Sequence, residues 1–517
     1  MKKILSSLLF IGAVQAMAQV PEDALRYSFF PQAGSARSMA TGAVMGSLGG
    51  DITANYVNPA GLGFFRTKEF VLTPAFQFSR QDALFRENKT GVTKNFFALG
   101  PSGLIIGERS PTNQKANSAF SVAISQTANF NNTTQYKGYN NYSSFSEMYA
   151  EEFAKSGYSI DEVLNTQSPM PYTSALGLYS YLIDTVTING NTVVRGAPEN
   201  ILDAGESLLQ DMQRKTSGGI YEIALSAAHN NGDKWLWGAS IGIPIVSFKS
   251  DTRFIESDTS SNNFNGFKSF ELNDHFKTIG AGANIKLGVI YRPQDYLRFG
   301  LALHSPSVLF LKDEHSASLS TNLETPGGQP EVFTAHSNTF TNGSEGIARY
   351  IQRNAWRAIL SGSYVFREEE DVRRQKGFVS ADVEYVNHRS GRFSSDAEEP
   401  TDSDKAYYKS LNNVIKDIYK GAFNFRVGGE LKFNVLMARL GFGYYGNPYK
   451  DMGFKANKLL LSGGLGYRHR GMFIDVTYAY HIYKDADFPY RLEDRLNTYA
   501  STKQKMGGLV ASIGWKF

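Results

Sequence analysis

Fourteen stretches of the chain alternate apolar and polar residues with a period of two: roughly 68–81, 93–107, 117–131, 216–230, 234–250, 270–292, 295–311, 353–367, 376–393, 420–432, 434–446, 457–469, 471–486 and 503–517. That period belongs to strands with one apolar face. Val379, Ala381, Val383 and Tyr385 share one side of their stretch, and Ser380, Asp382 and Glu384 the other. In the same way Ile474, Val476 and Tyr478 oppose Asp475, Thr477 and His481, and Phe299, Leu301 and Leu303 oppose Arg298 and His304. The final stretch puts Leu509, Ala511, Ile513, Trp515 and Phe517 on one face and keeps the pattern to the last residue, where chains usually fray.

The connections alternate in length. Segments 82–92, 131–216, 251–269, 312–352, 394–419, 447–456 and 487–502 are long, whereas Asn231–Asp233, Pro293–Asp295, Lys432–Asn434 and His469–Gly471 are tight turns, with 108–116 and 368–375 between the remaining pairs. Short turns on the periplasmic side and long loops outside give this rhythm in a membrane barrel, and a Greek-key sandwich does not. The pattern therefore predicts an all-β fold, a transmembrane up-and-down antiparallel β-barrel of 14 strands, residues 67–517. Because a charge facing lipid at the midplane costs ~2–4 kcal/mol, the charged faces are expected to line the lumen. An even strand count returns both barrel ends to the periplasm, so the preceding segment is expected to enter the barrel from below.

Composition sharpens this picture. The 517 residues include 36 Phe and 28 Tyr but only 4 Trp, with 49 Gly, as aromatic girdles and tight turns require. With no Cys, disulfides, thiol nucleophiles, Cys-ligated metals and a lipoprotein anchor are excluded. A net charge of +4 is too balanced for nucleic-acid binding. Lys2 and Lys3, the apolar run Ile4–Val14 and Ala16-Met17-Ala18 predict an export signal, 1–18, cleaved before Gln19. Beyond it no apolar run approaches the ~20 residues of a membrane helix.

Two segments stand outside the alternation. Residues 19–66 are rich in small side chains, in Gly34–Asp51 and Asn55–Gly63, and predict a plug packed closely within the lumen. The loop 131–216 carries Phe145, Met148, Tyr149 and Phe153 at helical spacing, the apolar Leu176, Leu178, Tyr179 and Leu182, and a second helix-like stretch through Ile201, Leu202, Leu208, Leu209 and Met212. The first eight are candidate ligand-capture residues. The competing reading, internal packing of an outer subdomain, is compatible with it.

At this point the residues resemble the FadL-type outer-membrane transporters of long-chain fatty acids and other hydrophobic compounds, across nearly the whole mature length. The resemblance rests on Gly34–Gly63 with Asn58-Pro59-Ala60-Gly61, on Leu287–Pro306, on Ala381–Tyr385, and on Phe425–Glu430 through Ala438–Tyr444. It implies a hatch bearing Asn58, Pro59, Ala60 and Gly61, capture by outer loops, an apolar pocket above the hatch and lateral exit at a kinked third strand, with no cofactor and no energy source. Ser118–Phe130 contains neither Gly nor Pro, so the third strand itself predicts no kink or bulge.

Competing chemistries are thinner. Asp382, Glu384, Asp475, Arg357, Arg426 and Arg439 are expected as paired charges holding the plug, the alternative being a polar path. A haem receptor is a lesser alternative, since among the eight scattered His only His315 and His336 share a loop. No G-x-S-x-G or H-E-x-x-H is present, and His388 and Ser390 fall two apart, so no enzyme and no metal site is expected. The sequence thus predicts a monomeric, passive outer-membrane channel for hydrophobic small molecules, fatty acids or similar lipids. Its other partners are outer-membrane lipid and the barrel-assembly machinery, engaged through the strand ending in Phe517. The runner-up is a FadL-like barrel used as a scaffold or shuttle in protein secretion, similar to the barrel of the type IX system.

Overall fold

The structure is a computed structural model describing residues 21–111, 113, 115–188, 190–324, 330–366, 376–451 and 456–517. The export signal and the whole 368–375 connection lie outside these. Strands β1 (Lys68–Leu72 and Pro74–Phe85), β2 (Asn88–Leu99 and Ser102–Arg109), β3 (Asn117–Asn129 and Asn132–Asn140), β4 (Leu208–Asn231), β5 (Trp235–Asp258), β6 (Ser269–Gln294) and β7 (Leu297–His304 and Val308–Glu324) form one half of the wall. Strands β8 (Gly346–Arg353 and Arg357–Phe366), β9 (Gly377–Asn387 and Arg392–Ser395), β10 (Gly421–Phe433), β11 (Leu436–Tyr445), β12 (Lys458–His469), β13 (Met472–Asp487) and β14 (Ala500–Lys516) form the other. Each pairs antiparallel with the next, and β14 returns to β1 with Trp515 opposite Phe70 and Ile513 opposite Leu72. Reciprocal bonds of 3.0 and 3.1 Å between Lys68 and Phe517 close the ring. Among the described residues this is a closed 14-strand antiparallel barrel.

The alternation resolves as an apolar belt outside and polar side chains inside. Val383, Val476, Leu301 and Leu509 are exposed, whereas Asp382, Glu384, Asp475 and Arg298 are buried in the lumen. No helix of the described residues is long and apolar enough to cross a membrane. The strands do so instead, since a closed ladder satisfies every backbone group within the wall.

Four expectations change. The first outer connection, expected long over 82–92, is a two-residue turn in which Arg86 and Glu87 have φ of 46° and 71°. Above the lipid a strand needs no apolar face, so β1 and β2 continue through polar residues that do not alternate. For the same reason the 131–216 loop is shorter: Asn132–Asn140 pairs with Leu208–Thr216, making Leu208, Leu209 and Met212 strand residues, not helical ones. The loop proper folds as helices Ser146–Ser156, Ile160–Val163, Ser174–Tyr179 and Glu199–Asp203 with a hairpin Ile183–Ile188/Asn191–Gly196.

The third change is in β3, which does bulge, the register shifting between Gln126 and Ala128 before a break at Phe130 and Asn131. Its cause lies in the neighbouring strand and in asparagine. Gly218 of β4 has φ of 103°, and a Cβ at Gly219 would fall 2.6 Å from the Ala128 carbonyl. Asn129 Oδ1 accepts from Asn131 N at 2.8 Å, a side-chain turn that replaces the ladder.

The fourth concerns residues 21–66, which lie inside the barrel but begin at its outer end. The Pro21 carbonyl accepts from Tyr419 Oη at 3.1 Å, and Glu22 pairs with Arg491 at 2.8 Å, both near outer loops. From there the chain descends the lumen to β1. Ala24, Leu25 and Tyr27 are covered by Leu411 and Ile415 from an outer-loop helix, Asp402–Ile418, which the alternation does not reveal. Thr401 and Asp404 form its capping box.

Candidate functional site

The lower part of the plug is held by backbone-to-wall contacts. Asn58 caps the short helix Pro59–Phe64 through its Oδ1, which accepts from Ala60 N at 3.1 Å. Its Nδ2 donates to the Gly46 carbonyl at 2.6 Å and reaches the wall carbonyls of Val289 and Leu301 at 3.3 and 3.5 Å. Only glycine in β6 permits this approach, because a Cβ at Gly288 would overlap Asn58 Oδ1. Gly61 donates to the Asn58 carbonyl, and Pro59, Ala60 and Gly61 are buried. Asn58 and Pro59 thus meet β6 at Gly288, Pro59 and Ala60 lie against β5 at Gly238, and Gly61 packs on Gly49 and Ala54 within the plug.

Charges hold the other side. Asp382 accepts from Met45 N and Gly46 N at 3.1 and 3.2 Å, and lies 3.6 Å from Arg426, which also donates to Glu384 at 3.0 Å. Arg357 pairs with Glu384 at 3.3 Å. Arg439 bridges Glu430 and Asp475 at 2.7 and 2.5 Å, with Arg37 of the plug 3.6 Å from Glu430. All six candidate lumen charges are therefore in ion pairs, as burial demands.

Beside the outer segment of the plug, and above its lower part, lies a cavity of about 1230 Å³. Phe29 and Phe30 of the plug, Phe96 of β2, Phe130 beside the β3 break, Phe248 of β5 and Phe276 of β6 supply aromatic surface. Polar groups interrupt it: Arg26 stacks over Phe248 at 4.3 Å, and Lys458 donates to the Phe29 carbonyl at 2.6 Å while lying 3.9 Å over its ring. Acids line it as well, among them Asp313, Asp485 and Asp487. His315 also borders it, bonded to Asp274 at 2.6 Å and stacked on Tyr172, whereas His336 is exposed at the end of strand Pro330–His336. No group of three or more His, Cys, Asp or Glu able to hold a metal occurs among the described residues.

The cavity abuts a seam in the wall. Described pairing between β2 and β3 covers only Ser102–Arg109 with Asn117–Ile124. Above it Phe96 and Ala98 of β2 and Gln126–Asn132 of β3 both face the cavity. Lys94 of β2 spans the seam, its Nζ donating to the Thr216 carbonyl at 2.9 Å and approaching that of Asn132 at 3.4 Å. The ladder of β2 is itself interrupted at Gly100-Pro101, where Pro has no amide to pair.

The 141–207 loop caps the outer mouth. Phe145, Tyr149, Phe153, Leu176, Leu178 and Leu182 are buried together with Phe254, Phe270 and Tyr490, Met148 packs against them, and Tyr179 is exposed. None of these eight candidate residues borders the cavity; the residues that do lie in the plug and the wall. Burial pushes the Glu147 carboxyl in this cap up to about 6, against the Ser144 amide and Arg495, which favour its charge.

No family model matches the sequence, and no curated protein matches it. Solved structures do. A Pseudomonas aeruginosa FadL homologue superposes with a TM-score of 0.51 at 13% identity, covering 94% of this chain and 99% of its own. The Ralstonia pickettii toluene transporter TbuX gives 0.50 at 15%, covering 95% and 100%, and the P. putida toluene transporter TodX 0.51 at 12%, covering 94% and 99%. The chain folds as a FadL-type outer-membrane barrel. In this FadL-type fold the chamber lies between the plug and the β2–β3 seam, both of which contribute to its lining.

Proposed function

We propose that the protein is a passive channel that takes hydrophobic molecules with a polar end, long-chain fatty acids or similar lipids, from the cell exterior into the outer membrane. The observation that carries this reading is the 1230 Å³ chamber beneath the cap, which reaches the β2–β3 seam. An apolar body gains ~25 cal/mol per Å² of surface withdrawn from water, so the aromatic wall draws the ligand in. Lys458 and Arg26 offer cations to an acidic end. Exit through the seam delivers the ligand sideways without a second crossing of water, and the Asn58-Pro59 contact acts as the gate beneath. The similarity of fold to transporters of hydrophobic compounds, among them two named for toluene, supports the same class of cargo. A scaffold role in secretion would not require an internal chamber. The assembly machinery is expected to engage β14 through Phe517, and the chain to act as a monomer.

The test is mass spectrometry of lipids extracted from the barrel after purification in a detergent foreign to the cell. A stoichiometric fatty acid or related lipid, lost on Lys458→Gln and on Phe248→Ser, supports the channel. An empty chamber whose barrel co-purifies with a protein partner overturns it in favour of the scaffold.

A further inference from the structure

The outer surface of the wall carries a feature that the transport reading does not use. Where the apolar belt ends on the loop side, outward-facing positions become basic on six consecutive strands: Lys215 on β4, Lys249 on β5, Lys277 on β6, Lys312 on β7, Arg349 and Arg353 on β8, and Arg392 on β9. Their inward neighbours Thr216, Phe248, Phe276, Asp313, Ala348, Gln352 and Phe393 fix this orientation, since all face the lumen. Toward the periplasm the same faces become Ile245, Ile279, Phe310 and Trp356, all exposed. The basic positions therefore follow the rim of the lipid belt.

Three of the contacts set like charges directly opposite each other in the ladder: Lys249 with Lys277, Lys312 with Arg349, and Arg353 with Arg392. Directly opposed like charges destabilise a sheet. Two carboxylates relieve part of this, Asp251 at 3.4 Å from Lys249 and Glu314 at 2.9 and 2.7 Å from Lys277 and Lys312. Seven cations thus face two acids along a curved band whose depth is set by Arg349 and Arg353, four residues or ~13 Å apart on one strand. Arg253 and Glu271 lie farther out and balance each other at 2.6 Å.

We infer that this band binds the phosphates of a multiply phosphorylated lipid in the outer leaflet. Its acyl chains would lie on the apolar belt and its anionic headgroup on the basic rim. A polyanion at that depth offsets the repulsion at all three opposed pairs. Arginine's planar donor fork suits phosphate oxygens, and lysine stems lie along apolar surface while their heads reach the headgroup. A soluble anion would not need the basic band to track the edge of the belt. The inference rests on outer-membrane placement but not on transport, so a barrel that carries nothing would still hold this lipid.

The experiment uses the full chain in detergent micelles, with purified bis-phosphorylated lipid A and its dephosphorylated form as probes, read by native mass spectrometry. The parent is expected to prefer the phosphorylated probe by at least about tenfold, a preference that salt reduces. The combined variant Lys249→Gln, Lys277→Gln, Lys312→Gln and Arg349→Gln should lose the preference while keeping heat-modifiable barrel migration, and Lys234→Gln at a periplasmic turn should retain it. Equal binding of both probes by the parent overturns the inference, as does an unchanged preference in the folded variant. Should the combined variant fail to fold, the parent's two-probe comparison and the double variant Arg353→Gln, Arg392→Gln decide.

Discussion

Lys94 Nζ donates to the Thr216 carbonyl at 2.9 Å, joining β2 to β4 beside the break within β3. A charged donor thus stands where backbone pairs would otherwise seal the wall. Hydrogen bonds to charged groups contribute about 1.5–3 kcal/mol when their partners are withdrawn from water. Lys94→Met is expected to loosen this edge by the lower part of that range, because the residue is only half-buried. Amide exchange over Asn88–Leu99 should accelerate, and bound ligand should leave faster. Unchanged exchange in that segment would show that Lys94 does not hold the seam.

Gly288 offers a way to move the hatch motif without altering it. An added Cβ would overlap Asn58 Oδ1 and fall 3.1 Å from Pro59 Cδ. Overpacking of this kind costs about 1–3 kcal/mol, and the plug, held by fewer bonds than the wall, should yield first. Gly288→Ala is therefore expected to raise exchange over Pro59–Phe64 and to change uptake in the same direction as Asn58→Ala with Pro59→Ala, while barrel migration on gels stays intact. If exchange over Pro59–Phe64 matches the parent, the wall contact does not set the hatch position.

The cap should respond to pH. Burial raises the Glu147 carboxyl from 4.5 to about 6, so the protonated form is favoured in the folded cap. A raised acid contributes stability that is fully present below its unfolded value and is lost as pH rises through its folded value. Partial solvent access reduces this contribution to the order of 1 kcal/mol. Protection over Ser146–Ser156, after correction for the intrinsic pH dependence of amide exchange, should therefore be greater near about pH 5 than near about pH 7.5, and Glu147→Gln should flatten the change. Glu151, Glu199, Glu256 and Arg495 also face this site. A profile identical in parent and variant would assign the dependence to those neighbours.

Much of the site was legible because its residues obey local rules. Asn58-Pro59 reads as a turn, which the structure makes a helix cap, and the plug's small side chains require a close-fitting enclosure. The chamber was not legible. Phe96, Phe130, Phe248 and Phe276 lie on four strands and look in sequence like members of an aromatic girdle. Conversely, Phe145, Tyr149 and Leu176 look in sequence like a ligand-binding face, because helical spacing marks an apolar face without saying what covers it. Phe254 and Phe270, from strand extensions far along the chain, cover them.

The sequence by itself determined the barrel: strand number, inward and outward faces, turns and closure at Phe517 follow from a period of two, which each strand obeys independently. Tertiary structure alone decided where the wall is incomplete and where the plug begins. The β3 bulge depends on Gly218 and Gly219 of β4, and the start of the plug depends on Tyr419 and Arg491, 398 and 469 residues from their partners Pro21 and Glu22. Such features arise from the fit between strands whose own patterns are regular, so no single stretch carries their signal.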